Sequence, residues 1–276
     1  SPASVPGGSF VAGQGAAVTR DGRYAAVLEG SRSLFVNLGS AQVALSGGSR
    51  AAQYMLLEQA IRETRPGGAG DPALLQPAGR EALARYLVGG RVVFGVNRAA
   101  DILRVLALAR RHGMQPVIAG GAEAWVVAAE LAAAKAAVVL DPLVNLPASF
   151  DALGARLDNA ARLQRAGVVV VFSMTGLAPH FAHKVRQSAG NAVAHGMPWD
   201  AALAGLTANP AAVFGLGAKR GRIETGMVAD LVLWNGDPLE VTSAADQVWV
   251  GGKPMSMRSR QTELLDRYLP QAARQP

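Results

Sequence analysis

The chain contains no cysteine, which excludes disulfides, cysteine-ligated zinc and thiol nucleophiles and leaves the redox compartment open. No apolar run reaches the roughly 18 residues that a membrane span requires. Aromatic residues make up only 5%, and the tryptophans Trp125, Trp199, Trp234 and Trp249 stand apart, which suits packing better than a stacking platform. Clustered charge is also missing. The formal charge of +7 comes almost wholly from arginines scattered through helical stretches, so no nucleic-acid partner is expected. The start has neither an initiator methionine nor a charged-then-apolar signal segment, and so reads as a processed product, an expressed portion or a fragment.

What is present fits a soluble enzyme-sized body: 276 residues, 50% of them hydrophobic, are enough for one large α/β core or two smaller ones. Residues 1–50 carry scattered glycines and short alternating runs, Ala16 to Val18, Ala25 to Leu28 and Leu34 to Leu38, which suggest short strands or extended loops. From about residue 90 a βα rhythm sets in. Val92 to Val96 is an apolar run, Ala99 to His112 has helical spacing, and Gly113 stands where a left-handed C-cap belongs. The unit recurs with Pro116 to Ala119 and a helix from about Glu123 to Ala134. It recurs again with Ala137 to Asp141 and a helix from about Phe150 to Ala166 stopped by Gly167, then with Val168 to Phe172 and a helix from Ala182 to His195 stopped by Gly196. Four apolar strands, each followed by a helix, predict a parallel sheet buried on both faces. The spacing fits a (β/α) barrel or an open doubly wound sheet. No G-x-G-x-x-G follows any of these strands, which weakens the dinucleotide-binding version.

The last quarter carries the most specific pattern. Thr207-Ala208-Asn209-Pro210-Ala211 leads through Gly215 and Gly217 to Gly221-Arg222-Ile223-Glu224-Thr225-Gly226-Met227-Val228-Ala229-Asp230-Leu231-Val232. Asn-Pro suits a helix start, Ala229 to Trp234 reads as a strand, and Gly236-Asp237-Pro238 as a turn. This string resembles the C-terminal signature of the amidohydrolase superfamily, T-x-N-P-A followed by G-x-I-x-x-G-x-x-A-D-L-V, and Gln247 to Pro254 is similar to its closing hairpin. Gly13 to Ala16, Ser46-Gly47-Gly48-Ser49-Arg50 before a helix, Arg98 to Ile102, Gly190 to Gly196 and Gly236 to Glu240 look like segments of the bacterial imidazolonepropionase-like branch. The resemblance implies a partial TIM-like (β/α) barrel over 1–217, lacking its first strand or strands, and a C-terminal β-ribbon or sandwich extension with a tail over 218–276.

It also implies a parent activity: hydrolysis of non-peptide C–N bonds, as in cyclic amides, by one or two divalent metals such as zinc. The ligands that the family uses are missing from this chain. There is no His-x-His. The histidine expected at the end of a middle strand is replaced in Phe94-Gly95-Val96-Asn97, and the next in Ala119-Gly120-Gly121. The aspartate that ends the final barrel strand is replaced in Phe172-Ser173-Met174-Thr175-Gly176. None of these residues supplies a charged or imidazole donor, and Asn97 is a weak oxygen donor at best.

The weak catalytic candidates that remain are His180, His183, Ser173 and Glu123. His180 and His183 are three apart and would share the face of a first helical turn, but two ligands fall short of the three or four a zinc site uses. Ser173 has no evident base partner. Candidate pocket residues are Asn97, Arg98, Gly121, Asp141 and Met174, at strand ends on the presumed catalytic face. Arg98 and Asp101 are spaced for a local ion pair. His112 and His195 each precede a helix-ending glycine, where imidazolium favours the negative end of the dipole.

The leading expectation is a catalytically degenerate member of the family, a pseudoenzyme, with no intact metal site. The alternatives are an active hydrolase completed by a missing N-terminal segment and a non-catalytic module that binds a small molecule or a partner. Expected partners are a small-molecule ligand, a complementary N-terminal segment or a second copy. Export to the periplasm is implied only by the branch resembled.

Overall fold

The computed structural model describes residues 9–19, 27–174 and 179–272. The chain forms two compact units, Ser1–Arg222 and Ile223–Pro276.

In the first unit the elements follow in the order β1 (Val11–Gly15), β2 (Ser33–Asn37), α1 (Arg50–Glu63), α2 (Pro77–Ala84), β3 (Arg91–Val96), α3 (Ala99–Arg111), β4 (Gln115–Gly120), α4 (Ala128–Ala133), β5 (Ala137–Leu140), α5 (Asn159–Arg165), β6 (Val170–Phe172), α6 (Val185–Ala194), α7 (Trp199–Leu206) and α8 (Ala208–Val213). The sheet order is β1-β2-β3-β4-β5-β6, with β2 to β6 parallel. Each crossover therefore steps the same way. A doubly wound sheet reverses its order part-way, whereas one-way stepping is how a TIM-like barrel is built. Among the described residues no β6–β1 pairing closes the sheet.

The edge strand β1 runs antiparallel to β2, with a bulge between Val11 and Gly13. Seventeen residues, 16–32, separate the two strands, and an antiparallel pair needs no crossover helix to join it. An antiparallel bridge between Val18 and Val27 extends it.

Strand parity sorts the apolar residues into two layers. Val93, Val117, Ala137, Val139 and Val171 form one face, against which Phe35, Ala119, Val213 and Phe214 pack. The opposite parity, Val92, Phe94, Val96, Ile118, Val138 and Val170, is almost completely buried. This double burial is why the strands read as unbroken apolar runs. Helices α3, α5 and α6 end before Gly113, Gly167 and Gly196, which have φ of 67°, 81° and 94°, as the sequence predicts. The signature helix α8 starts after Thr207, whose side chain makes no capping bond, with Pro210 in its first turn, where backbone N–H groups have no helical acceptor. The Asn209 Nδ2 donates to the Val170 carbonyl at 2.9 Å, so the N-P-A motif ties this helix to β6.

Three predicted helices are shorter than their spacing suggests, and that from Glu123 is a 3-10 turn over Ala124–Val127 before it becomes α4. The stretch from Phe150 to Ala166 is helical only over α5, because Asp151 and Gly154 give their polar groups to distant partners described below. The stretch from Ala182 begins as a 3-10 turn, Pro179–Lys184, and becomes α6 only at Val185.

The second unit contains β7 (Leu231–Trp234), β8 (Ala245–Val250), β9 (Lys253–Pro254) and α9 (Arg260–Ala272). The three strands form an antiparallel sheet in the order β7-β8-β9. The Ala-Asp-Leu-Val motif has a local reason: the Asp230 Oδ1 accepts from the Gly251 N–H at 2.8 Å, anchoring the β8–β9 turn beside the start of β7. The Asp237 Oδ1 accepts from the Leu239 N–H at 2.8 Å, the side-chain turn that the Gly-Asp-Pro string predicts.

Candidate functional site at the carboxyl ends of the parallel strands

In a TIM-like sheet chemistry is built where parallel strands end, here at Asn37, Asn97, Gly120, Asp141 and Ser173. Asn97 is half-buried and Arg98 exposed. The Asn97 Oδ1 accepts from the Ala122 N–H at 3.3 Å, and its carbonyl accepts from the Glu123 N–H at 2.9 Å. Gly120, with φ of 95°, presses against the same Oδ1: a Cβ there would lie 2.6 Å from it. The Asn97 amide thus holds the β4–α4 turn, and Gly120 leaves it room to do so.

Glu123 closes the knot from the other side. Its Oε2 accepts from the Ala99 N–H at 3.0 Å, satisfying a first-turn donor of α3 and placing negative charge at that helix start. The buried Gly121 donates its N–H to the Val96 carbonyl at 2.8 Å and accepts from the Asn159 Nδ2 at 2.9 Å. Asp141 is 8% exposed. Its Oδ1 accepts from the Leu143 N–H at 3.0 Å and from the Ser188 hydroxyl at 3.2 Å, so it anchors the turn after β5 to α6. Ser173 donates its N–H to the Leu140 carbonyl at 3.0 Å, and Ser173 and Met174 are half-buried.

The structure therefore brings Asn97, Gly121 and Glu123 into one hydrogen-bonded turn and sets Ser173 beside the end of β5. His180 and His183 lie on the 3-10 turn before α6, where residues three apart eclipse, and the His183 side chain is exposed. The His180 side chain, Thr175 and Gly176 lie outside the described residues. Among the described residues no group of three or more His, Asp or Glu side chains is placed to hold a metal ion.

Two clusters on the same rim escape sequence reasoning. Arg50, first residue of α1, ion-pairs through Nη1 with Asp101 of α3 and through Nη2 with Asp151. Both aspartates are buried, at 7% and 6% exposure. Asp151 Oδ2 also accepts from the Ser40 N–H at 2.7 Å and the Ser40 hydroxyl at 2.9 Å. Burial raises the Asp151 pKa, but the two Ser40 bonds and the Arg50 charge outweigh it and hold the carboxyl below its ordinary value. The Tyr54 hydroxyl donates to Asp101 Oδ1 at 3.2 Å, and burial, followed by the Asp101 charge, pushes that phenol up. Asp101 thus takes its ion-pair partner from another helix, not from Arg98. The one local signal is the Ser49 cap, whose hydroxyl accepts from the Ala52 N–H at 3.1 Å and so sets Arg50 at the helix start.

The second cluster surrounds Trp125. Its indole N–H donates to the Gly154 carbonyl at 2.9 Å, and the Arg156 and Arg162 guanidinium groups lie 4.9 and 5.3 Å from the ring centre, within cation–π range. Asp158 accepts from both arginines, and the Arg156 bond first of all holds its carboxyl far below the usual range.

A family model described as the amidohydrolase family matches residues 73–255. The chain belongs to the amidohydrolase family. Amidohydrolase tasK of Hapsidospora irregularis is 47% identical over 58 residues, 21% of this chain and 6% of that protein. The crystal structure of an amidohydrolase from Thermotoga maritima MSB8 superposes with a TM-score of 0.73 at 22% identity, over 84% of this chain and 64% of that one. That likeness establishes the fold, and this family member spans under two thirds of the Thermotoga protein and a small part of tasK. No helix of the described residues is long and apolar enough to cross a membrane.

Two cavities lie elsewhere. One of about 580 Å³ runs along α1 beside Tyr54, Met55 and Arg104, and one of about 440 Å³ lies at the end of α1 beside Glu63 and Pro66. The buried Glu63 ties that end down: Oε1 accepts from the Leu74 N–H and Oε2 from the Leu75 N–H, each at 2.8 Å. The Leu74 bond is the main reason its pKa lies below the ordinary value. A carboxylate lowered on folding stabilises the fold above its unfolded pKa, about 4.3, and that contribution is lost as pH falls through the lower folded value. Glu63→Gln should therefore flatten the acid limb of stability against pH below about pH 4, which urea titrations at stepped pH will show; an unchanged limb refutes this role.

Proposed function

We propose that this chain is an amidohydrolase-family domain that has lost metal-dependent hydrolysis of non-peptide C–N bonds and keeps its rim as a scaffold for binding. The observation that carries this reading is the use made of the strand ends. At the positions where the resemblance calls for histidine ligands, the Asn97 amide oxygen already accepts from the Ala122 N–H and Gly120 offers no side chain. A divalent cation needs anionic or imidazole donors, and the nearby carboxylates Glu123 and Asp141 accept from the backbone of α3 and from Leu143 and Ser188. These donors do not fit the metal that the family uses, so no hydrolytic step is derived through one.

The test is metal content by mass spectrometry on the purified protein after incubation with zinc and exhaustive buffer exchange. At most about 0.1 ion per chain is expected, since a pair of histidines falls short of a zinc site's three or four ligands. About one ion per chain, lost on His180→Ala and His183→Ala, overturns the reading and restores that of an active hydrolase.

A further inference from the structure

Between the end of β5 and the start of α5 the chain leaves the sheet at Asp141 and returns at Asn159. Three tethers hold it. Asp141 is fixed by Ser188 and the Leu143 N–H, Asp151 is held by Ser40 and Arg50, and the Gly154 carbonyl is held by Trp125. Ser40 follows β2, three strand spacings from β5 in the sheet order, a gap of about 14 Å. The ten or so residues from Asp141 to Asp151 can reach about 33 Å. The segment is thus more than twice as long as that gap, and the ends of β3 and β4 lie between its two anchors.

Among the described residues only the ends of this segment bond to distant partners. The hydrogen bonds of residues 142–150 are local: Val144 N–H to the Asp141 carbonyl at 3.1 Å, Asn145 N–H to that of Leu143 at 3.0 Å and Ala148 N–H to that of Leu146 at 2.8 Å. Beyond the buried Pro142 its apolar side chains face solvent, Leu146 69% and Phe150 82% exposed, an arrangement that the hydrophobic effect disfavours in isolation. Few packed contacts and local bonding are the marks of a low-stability segment. Asp151, in contrast, is buried, and its bond to Arg50 is charge-assisted.

We propose that residues 142–150 are a hinged strap over the β3 and β4 ends of the rim, with Asp141 as its hinge and Asp151 as its latch. The latched strap lies along the rim where Asn97 and Gly120 stand, and release of Asp151 from Ser40 and Arg50 lets it lift. This holds whether or not the rim binds metal.

Limited chymotrypsin digestion tests it, because cleavage rate follows the population of the opened segment when reclosing is fast. Cutting after Leu143, itself exposed within the strap, should be at least about tenfold faster in Asp151→Asn than in the unsubstituted protein, with Phe94 and Phe172 remaining uncut. Ser40→Ala, which spares the Arg50 pair, should give an intermediate rate. Equal rates at Leu143 in all three proteins refute the latch. Cleavage that rises at Phe94 and Phe172 in the same proportion also refutes it, since Asp151 would then support the whole fold rather than the strap.

Discussion

Arg50→Ala should lower the unfolding free energy of the first unit by about 2–4 kcal/mol, one of the two largest single-site effects expected in this protein. Arg50 is the shared counter-charge of two buried carboxylates. Removing it leaves both aspartates desolvated, with Tyr54 and Ser40 as their remaining partners. Stranding a buried charge costs more than forming the pair gains. Arg50→Lys should recover less than half of the loss, because an ammonium cannot address two carboxylates with the two prongs of a fork. Adding Asp101→Asn to Arg50→Ala should relieve part of the cost, and the double-mutant cycle measures the coupling. Urea titrations check all three; a change within about 0.5 kcal/mol, ordinary for a surface substitution, would show that the cluster is solvated.

Phe94→Ala should cost about 3–5 kcal/mol. Phe94 is fully buried and pairs in register with Val36 on one side and Ile118 on the other. It lies on the face opposite to the Val93 cluster, so truncation opens a cavity between the sheet and its covering layer rather than on the other face. Phe94→Leu, which keeps most of the volume, should cost under about 1.5 kcal/mol. The urea midpoint should fall without a change in slope. A small effect for the alanine variant would mean that neighbouring side chains collapse into the space.

The parallel half of the fold is legible because its physics is local. A strand covered on both faces must be apolar at every position, so Val92 to Val96, Ala137 to Leu140 and Val170 to Phe172 announce themselves, and positive-φ glycines mark the helix ends. Phe150 and Leu153 mislead for the converse reason. Their spacing imitates a helical face, yet both are exposed, at 82% and 62%, and the segment is shaped by the bonds of Asp151 to residues 40 and 50. The direction of β1 was equally hidden, since alternation in a short run gives extended backbone but not the sense of pairing. At the rim Asn97, Gly121, Glu123 and Asp141 stand just after strand ends, and the sequence was silent on what each one touches.

Taken alone, the amino-acid order determined the family signature and the succession of βα units, because motif spacing and hydrophobic period are properties of neighbours along the chain. Tertiary structure alone decided that the strands step one way, that Glu123 serves α3 and Asp141 serves α6, and that Arg50, Asp101 and Asp151 meet. Those are contacts between residues tens of positions apart. Their energy comes from desolvation and charge pairing, which exist only once the sheet has set the carboxyl ends of its strands side by side.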